Sequence, residues 1–182
     1  MDDIVKQAMA KWPNVPDCYG WLGLDSRGQW HMRDDPVQRL GAFQSGVPGA
    51  KGSVLKHEKL IEFIHRNYAA DDKGQWFFQN GPQRVYVELE LTPYVWRLNE
   101  NFMPVAQTGE ITQALACLLD ENGRVYLKTP LGLGLVHTMD VGQVAEALEQ
   151  GRWSLESCDS KNLQIQHGFV ISPQAIANSI KA

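Results

Sequence analysis

The chain has 182 residues, 43% hydrophobic and 21% charged, with a net charge of −4. A chain of this size buries a proper core without disulfides or metals, and it fits one large domain or two small ones. No run of Lys and Arg suggests the basic stripe that phosphate recognition needs, so nucleic acid is not expected as a partner.

In chain order, the opening segment reads as a short helix. Ile4, Val5, Ala8, Met9 and Trp12 fall on one face, and Pro13 and Pro16 end it. "MDDIVKQAMAKW" lacks the basic start and apolar stretch of a secretory signal. The longest apolar stretch, "TPLGLGLVHTM", is too short to span a bilayer. A cytoplasmic protein without a membrane partner is expected. A second helix is expected in "SVLKHEKLIEFIHRNY", capped by Ser53, with Leu60, Ile61, Ile64 and Tyr68 as its buried stripe. A third runs from about Val141 to Gln150, capped by Asp140 and closed by Gly151. A fourth runs from Pro173 to Lys181, with Pro173 in its first turn.

Strands are expected between the helices. "RVYVELEL" alternates strictly: Val85, Val87, Leu89 and Leu91 face one way, and Tyr86, Glu88 and Glu90 face water. That is the pattern of a half-buried antiparallel strand. Pro93 interrupts it and "YVWRL" follows. "GLGLVH", residues 132–137, reads as a flexible turn between strands. It lacks the third Gly of a dinucleotide fingerprint.

Three short phrases share a grammar: Asp25-Ser26-Arg27-Gly28, Asp71-Asp72-Lys73-Gly74 and Asp120-Glu121-Asn122-Gly123. Each separates two apolar or aromatic runs. Asp at the first turn position bonds the backbone two residues on, and Gly at the fourth takes the left-handed conformation. A type I turn followed by such a Gly is a common hairpin link. A Pro follows each: Pro36, Pro82 and Pro130. The expected fold is α+β: antiparallel sheets with a few helices, built from weakly repeated helix-plus-hairpin units. Two subdomains are expected, residues 1–100 and 101–182, or one compact domain.

Residues 12–98 resemble the proteobacterial proteins grouped as domain of unknown function 1285. Trp12, Pro13, Cys18, Gly20, Gly28, Trp30, Pro36 and Arg39 carry the first part of the pattern. Leu60, Gly74, Trp76, Pro82, Val85, Val87, Glu88 and Pro93 carry the second. There are departures. Gly81-Pro82-Gln83-Arg84 stands where that family has Thr-Pro-x-Glu, and residues 43–51 look like an insertion. A sister family is the alternative. The resemblance implies a fold of duplicated small α+β units, no established activity, and a signalling role by structural analogy alone, which does not transfer function.

Chemistry-bearing patterns are sparse. His57-Glu58 lacks the second His of a zinc protease, since Ile61 stands there. His57 and His65 lie two helical turns apart, too far to share a metal. Cys18, Cys117 and Cys158 have no C-x-x-C spacing and read as small buried hydrophobes. No cofactor or metal is expected. Asp34 and Asp35 suit acid–base work or an exposed turn. Trp30 and Trp76 occupy equivalent hairpin positions, as core or as an aromatic face. Arg39 and Arg84 follow Pro36 and Pro82 and offer guanidinium groups to an anion or an acidic partner. The leading expectation is a non-enzymatic module that recognises a partner protein or small ligand through Trp30, Trp76, Arg39 and Arg84. The alternative is a hydrolase-type enzyme assembled from His57, Cys18 or the Asp34/Asp35 pair.

Overall fold

The computed structural model describes residues 1–181. Two compact units divide it: Met1–Asp25, Gln29–Glu90 and the segment from Phe169 onward form unit 1, while Ser26–Gly28 and Leu91–Gly168 form unit 2. The main crossing falls at Leu91, and the C-terminal segment returns to the first unit.

Unit 1 opens with α1 (Asp3–Lys11), which buries Val5. Strands β1 (Cys18–Leu24) and β2 (Trp30–Met32) form a hairpin. Helix α2 (Asp35–Leu40) begins where the Asp34 carboxylate accepts the Val37 N–H at 3.0 Å, with Pro36 in the first turn. It is not one of the expected helices, although Asp-x-Pro is a regular helix start. The expected helix from Ser53 is shorter. Ser53–Val54 is strand β3, and helix α3 spans Glu58–Arg66 with His57 as its cap, Nδ1 accepting the Leu60 N–H. Then come β4 (Tyr68–Ala70), β5 (Trp76–Asn80) and β6 (Gln83–Leu89). The sheet order is β3-β2-β1-β6-β5-β4.

Unit 2 contains β7 (Tyr94–Leu98), β8 (Pro104–Val105), β9 (Ala116–Leu119), β10 (Val125–Thr129) and β11 (Gly132–Val136). Helix α4 (Val141–Glu149), β12 (Leu155–Ser157) and α5 (Leu163–His167) follow, and α6 (Pro173–Lys181) belongs to the segment that returns to unit 1. The second sheet has the order β12-β9-β10-β11-β7-β8. "GLGLVH" is thus mostly a strand and not a flexible turn. Gly134 has a packing reason: a Cβ there would lie 2.3 Å from Nε1 of Trp96. Asp140 precedes α4 but does not cap it with its side chain. Its carboxylate accepts from Arg97 Nε at 2.6 Å and from the Leu98 N–H at 2.9 Å.

Both sheets are mixed rather than purely antiparallel. In each, the first strand of a hairpin lies parallel to the last strand of a three-strand meander: β1 against β6 in one, β7 against β11 in the other. What recurs most closely is the turn. At Asp25, Asp71 and Asp120 the backbone N–H bonds the carbonyl four residues on, and Oδ1 accepts the N–H of that same residue at 2.8 Å. Oδ2 then takes a side-chain donor from the sheet: His31, Tyr86 or Tyr126. Gly28, Gly74 and Gly123 have φ between 76° and 78°. Asn99 makes the same turn with Phe102 at φ 62°, a conformation that ordinarily costs a non-glycine residue about 1–2 kcal/mol.

Strand β6 departs from its sequence pattern in one respect. Tyr86 and Glu88 were expected on a wet face, yet they are 3% and 0% exposed. Tyr86 stacks on Tyr19 and meets Phe77 edge-on, and the chain's own C-terminal segment covers Glu88. Leu89 N–H donates to the Ile171 carbonyl at 2.8 Å, and α6 packs on β1 and β6. Glu88 accepts from Ser172 Oγ at 2.6 Å, from the Gln174 N–H at 2.9 Å, and from Gln44 Nε2 at 3.4 Å. Arg33, also fully buried, donates to the carbonyls of Ala50, Gly20 and Gly41 and to Gln174 Oε1. The stretch 43–51 is therefore integral, and it places Phe43 and Ala50 in the core.

Replacing Glu88 by Ala strips Arg33 of its compensating field and leaves Ser172 and Gln174 donors unmet. The expected loss is about 3–5 kcal/mol, read as a lowered urea midpoint with unchanged slope. Glu88→Gln keeps the shape and should lose less. A second prediction concerns pH. Burial lowers the pKa of His65 below 6.5, and its neutral Nε2 accepts the Trp30 indole N–H at 2.9 Å. A depressed histidine leaves the unfolded state binding the extra proton. Stability is then complete above about pH 6.5 and falls as pH drops below it. His65→Gln keeps an acceptor and should flatten that part of the stability–pH curve.

Candidate functional site

Three cavities compete for attention. The widest, about 780 Å³, lies in unit 2 beside β9, β10 and β12. It brings together Cys158, His167, Lys128, Glu121 and Asp159, a Cys–His combination that sequence spacing did not flag. Its electrostatics oppose nucleophilic chemistry. Burial raises the Cys158 thiol, and Asp120, Glu121 and Asp159 raise it further. Burial and then Lys128 lower His167. The carboxylates are committed locally: hydrogen bonds from Ser160 push the Glu121 carboxyl down to about 2, and Asp159 accepts the Lys161 N–H at 2.9 Å.

The other two cavities lie in unit 1, where strand alternation in β5 and β6 sorts their linings. Side chains of successive residues leave opposite faces of a strand. Phe78 and Asn80 of β5, Val85 of β6, and Cys18 and Leu22 of β1 line an apolar cavity of about 200 Å³, together with Leu60 and Ile64 of α3. Gln79 and Arg84, the residues adjoining them in β5 and β6, line a polar cavity of about 270 Å³ with Asp17 and Pro82. The Cys18 thiol is pushed up by burial, so it remains protonated at neutral pH and acts as a weak hydrogen-bonding group, not a nucleophile.

The residues singled out from sequence do not share one surface. Trp30 is 2% exposed, gives its indole N–H to His65, and meets Tyr68 edge-on at 5.3 Å. It serves the core. Trp76 is half-buried against Tyr68, with ring centres 4.8 Å apart. Arg39 is exposed in the last turn of α2. Arg84 alone of the four lines one of these cavities, with its guanidinium 4.7 Å over the Phe77 ring. For the enzymatic alternative, Cys18 lines the apolar cavity, whereas His57, Asp34 and Asp35 are exposed and line none of the three. His57 and Asp34 are occupied as helix caps. His31 donates to Asp25 at 2.9 Å and braces a turn, as Tyr86 and Tyr126 do in the others. Among the described residues no cluster of His, Cys, Asp or Glu has the arrangement of a metal site, and no helix is long and apolar enough to cross a membrane.

These features define a two-unit α+β protein with mixed sheets and cavities on both faces of one hairpin. A family model described as "Protein of unknown function (DUF2946)" matches residues 1–180, and the chain belongs to that family. Similar solved structures are DUF1285 family proteins. One, from Shewanella baltica OS155, has 14% identity and a TM-score of 0.45, covering 69% of this chain and 91% of its own. Another, from Silicibacter pomeroyi DSS-3, has 10% identity and a TM-score of 0.48, covering 80% of this chain and 84% of its own. No curated protein matches.

The thiol environments give a direct test. Raised pKa values mean little thiolate at pH 7.5, so Cys18 and Cys158 should react with a disulfide reagent more slowly than free cysteine. Burial pushes Cys117 up to about 11, and it should react only on unfolding. Glu121→Gln removes one of the charges acting on Cys158 and should speed its labelling. Faster labelling of Cys158 than of free cysteine in the parent protein contradicts this electrostatic picture.

Proposed function

We propose that unit 1 is a non-catalytic binding module for a small, mainly apolar molecule such as an aromatic ring or short acyl chain. The observation that carries this reading is the apolar cavity between α3 and the sheet. Ligand sites are concave, mostly apolar, and carry a few placed polar groups. Here Leu22, Leu60, Ile64, Phe78 and Val85 supply the apolar wall, and the Cys18 thiol and the exposed Asn80 amide supply the polar groups. A cavity of about 200 Å³ suits a small ligand rather than a partner protein. The raised Cys18 pKa and the absence of His57, Asp34 and Asp35 from its lining speak against the hydrolase alternative. A regulatory or signalling role in the cytoplasm, with occupancy rather than turnover as the output, fits such a module.

Burying a ring of roughly 150 Å² contributes about 4 kcal/mol before association costs. Phenol or indole should therefore bind weakly, with Kd no tighter than about 1 mM. Calorimetry and thermal shift are the measurements. Cys18→Ser should retain binding, because no thiolate chemistry is involved. Cys18→Phe should fill the cavity and abolish it while the protein stays folded. Unchanged binding in folded Cys18→Phe, or no binding to the parent protein, overturns the reading.

A further inference from the structure

We propose that the polar cavity on the other face of the β5–β6 hairpin binds a small zwitterion of the free α-amino-acid type. It is separate from the apolar cavity, and either site can fail without the other.

Three side chains carry the argument. Gln79 is 1% exposed. Its Nε2 donates to the Gly81 carbonyl at 3.0 Å, and its Oε1 is buried with no partner. Flipping the amide would turn Oε1 toward that carbonyl, so the bond to Gly81 fixes the bare oxygen's direction. A buried acceptor left unmet costs about 1–3 kcal/mol; the oxygen is closed to solvent, and an entering donor that parts the wall Gln79 lines recovers that cost. Arg84 is held by two contacts: its guanidinium lies 4.7 Å from the Phe77 ring centre, and a hydrogen bond with the Tyr86 side chain is the first cause raising its pKa; the remaining N–H groups are the ones offered to a carboxylate. Asp17, exposed, brings a carboxylate to the same cavity. Its charge reaches Arg84 through space, and no ion pair between the two occurs among the described residues. Opposite charges thus flank one space together with a bare acceptor.

The ligand chemistry follows. A carboxylate belongs at Arg84. An ammonium, carrying N–H bonds, belongs between Asp17 and Gln79 Oε1. The remaining wall includes Met9, Pro13 and Pro82, which suits a small or aliphatic side chain. The volume of about 270 Å³ is below the range for drug-sized ligands and matches a single amino acid rather than a peptide. A quaternary ammonium offers no N–H to Gln79 and should bind worse.

The test is titration of the full chain, followed by NMR, with L-alanine, L-leucine, propionate, propylamine and glycine betaine as probes. The two amino acids should bind with Kd near or below about 1 mM, and the other three at least tenfold more weakly. Arg84→Gln and Asp17→Asn, both at side chains reached by solvent, should each weaken amino-acid binding about tenfold with folding intact. Gln79→Met, if folded, should lose the preference for alanine over betaine. The proposal is overturned if neither amino acid binds at about 10 mM. It also falls if propionate binds as well as alanine, or if folded Arg84→Gln and Asp17→Asn bind as the parent does. An ordered water on Gln79 Oε1 that amino acids do not displace in a crystal is equally contrary.

Discussion

A carboxylate buried in the middle of a sheet organises unit 1. Glu88 sits on β6, the strand that joins the β1–β2 hairpin to the β4–β5–β6 meander. Removing such a group from water costs several kcal/mol unless its lone pairs are met. The donors come from two distant stretches, Gln44 in the loop after α2 and Ser172 and Gln174 in the C-terminal segment. Arg33 adds a second buried charge that gathers the carbonyls of Gly20, Gly41 and Ala50. The network is satisfied only when all these stretches are in place, so it ties the chain's end to its first half and specifies that closure.

With Glu88 and Tyr86 covered, β6 presents two different faces beyond them. One side continues into the apolar cavity against α3. The other carries Arg84 toward the gap beside α1, where Gln79 waits from β5. A single two-residue periodicity thus separates an apolar from a polar cavity across one layer of backbone. Neither face offers an activated nucleophile, and the cysteines of both units are pushed away from the thiolate form by burial.

Local chemistry was legible in the sequence and long-range pairing was not. The turns at Asp25, Asp71 and Asp120 follow from Asp and Gly three positions apart, because the bonds close within five residues. The helices at Asp3–Lys11 and Pro173–Lys181 follow from apolar spacing and proline. Strand β6 was read correctly in its alternation and wrongly in its exposure, because the cover over Glu88 comes from residues 171–174. Parallel pairing of β1 with β6 leaves no local mark. Trp30 and Trp76 looked equivalent, yet one is core and the other half-buried, a difference set by His65 and Tyr68. Of the polar cavity, only Arg84 stands out in the sequence as a candidate site residue. Gln79 stands out only after folding, when its amide oxygen is buried and bare.

On the two proposals together, the β5–β6 hairpin sorts ligands by chemistry between its two faces. Side-chain NMR of the labelled protein, titrated separately with indole and L-alanine, tests it most directly. Indole should shift the methyls of Val85 and Leu60 and leave Gln79 and Arg84 side-chain N–H signals in place. L-alanine should do the reverse. Both ligands moving the same set, or neither moving either set, contradicts the account.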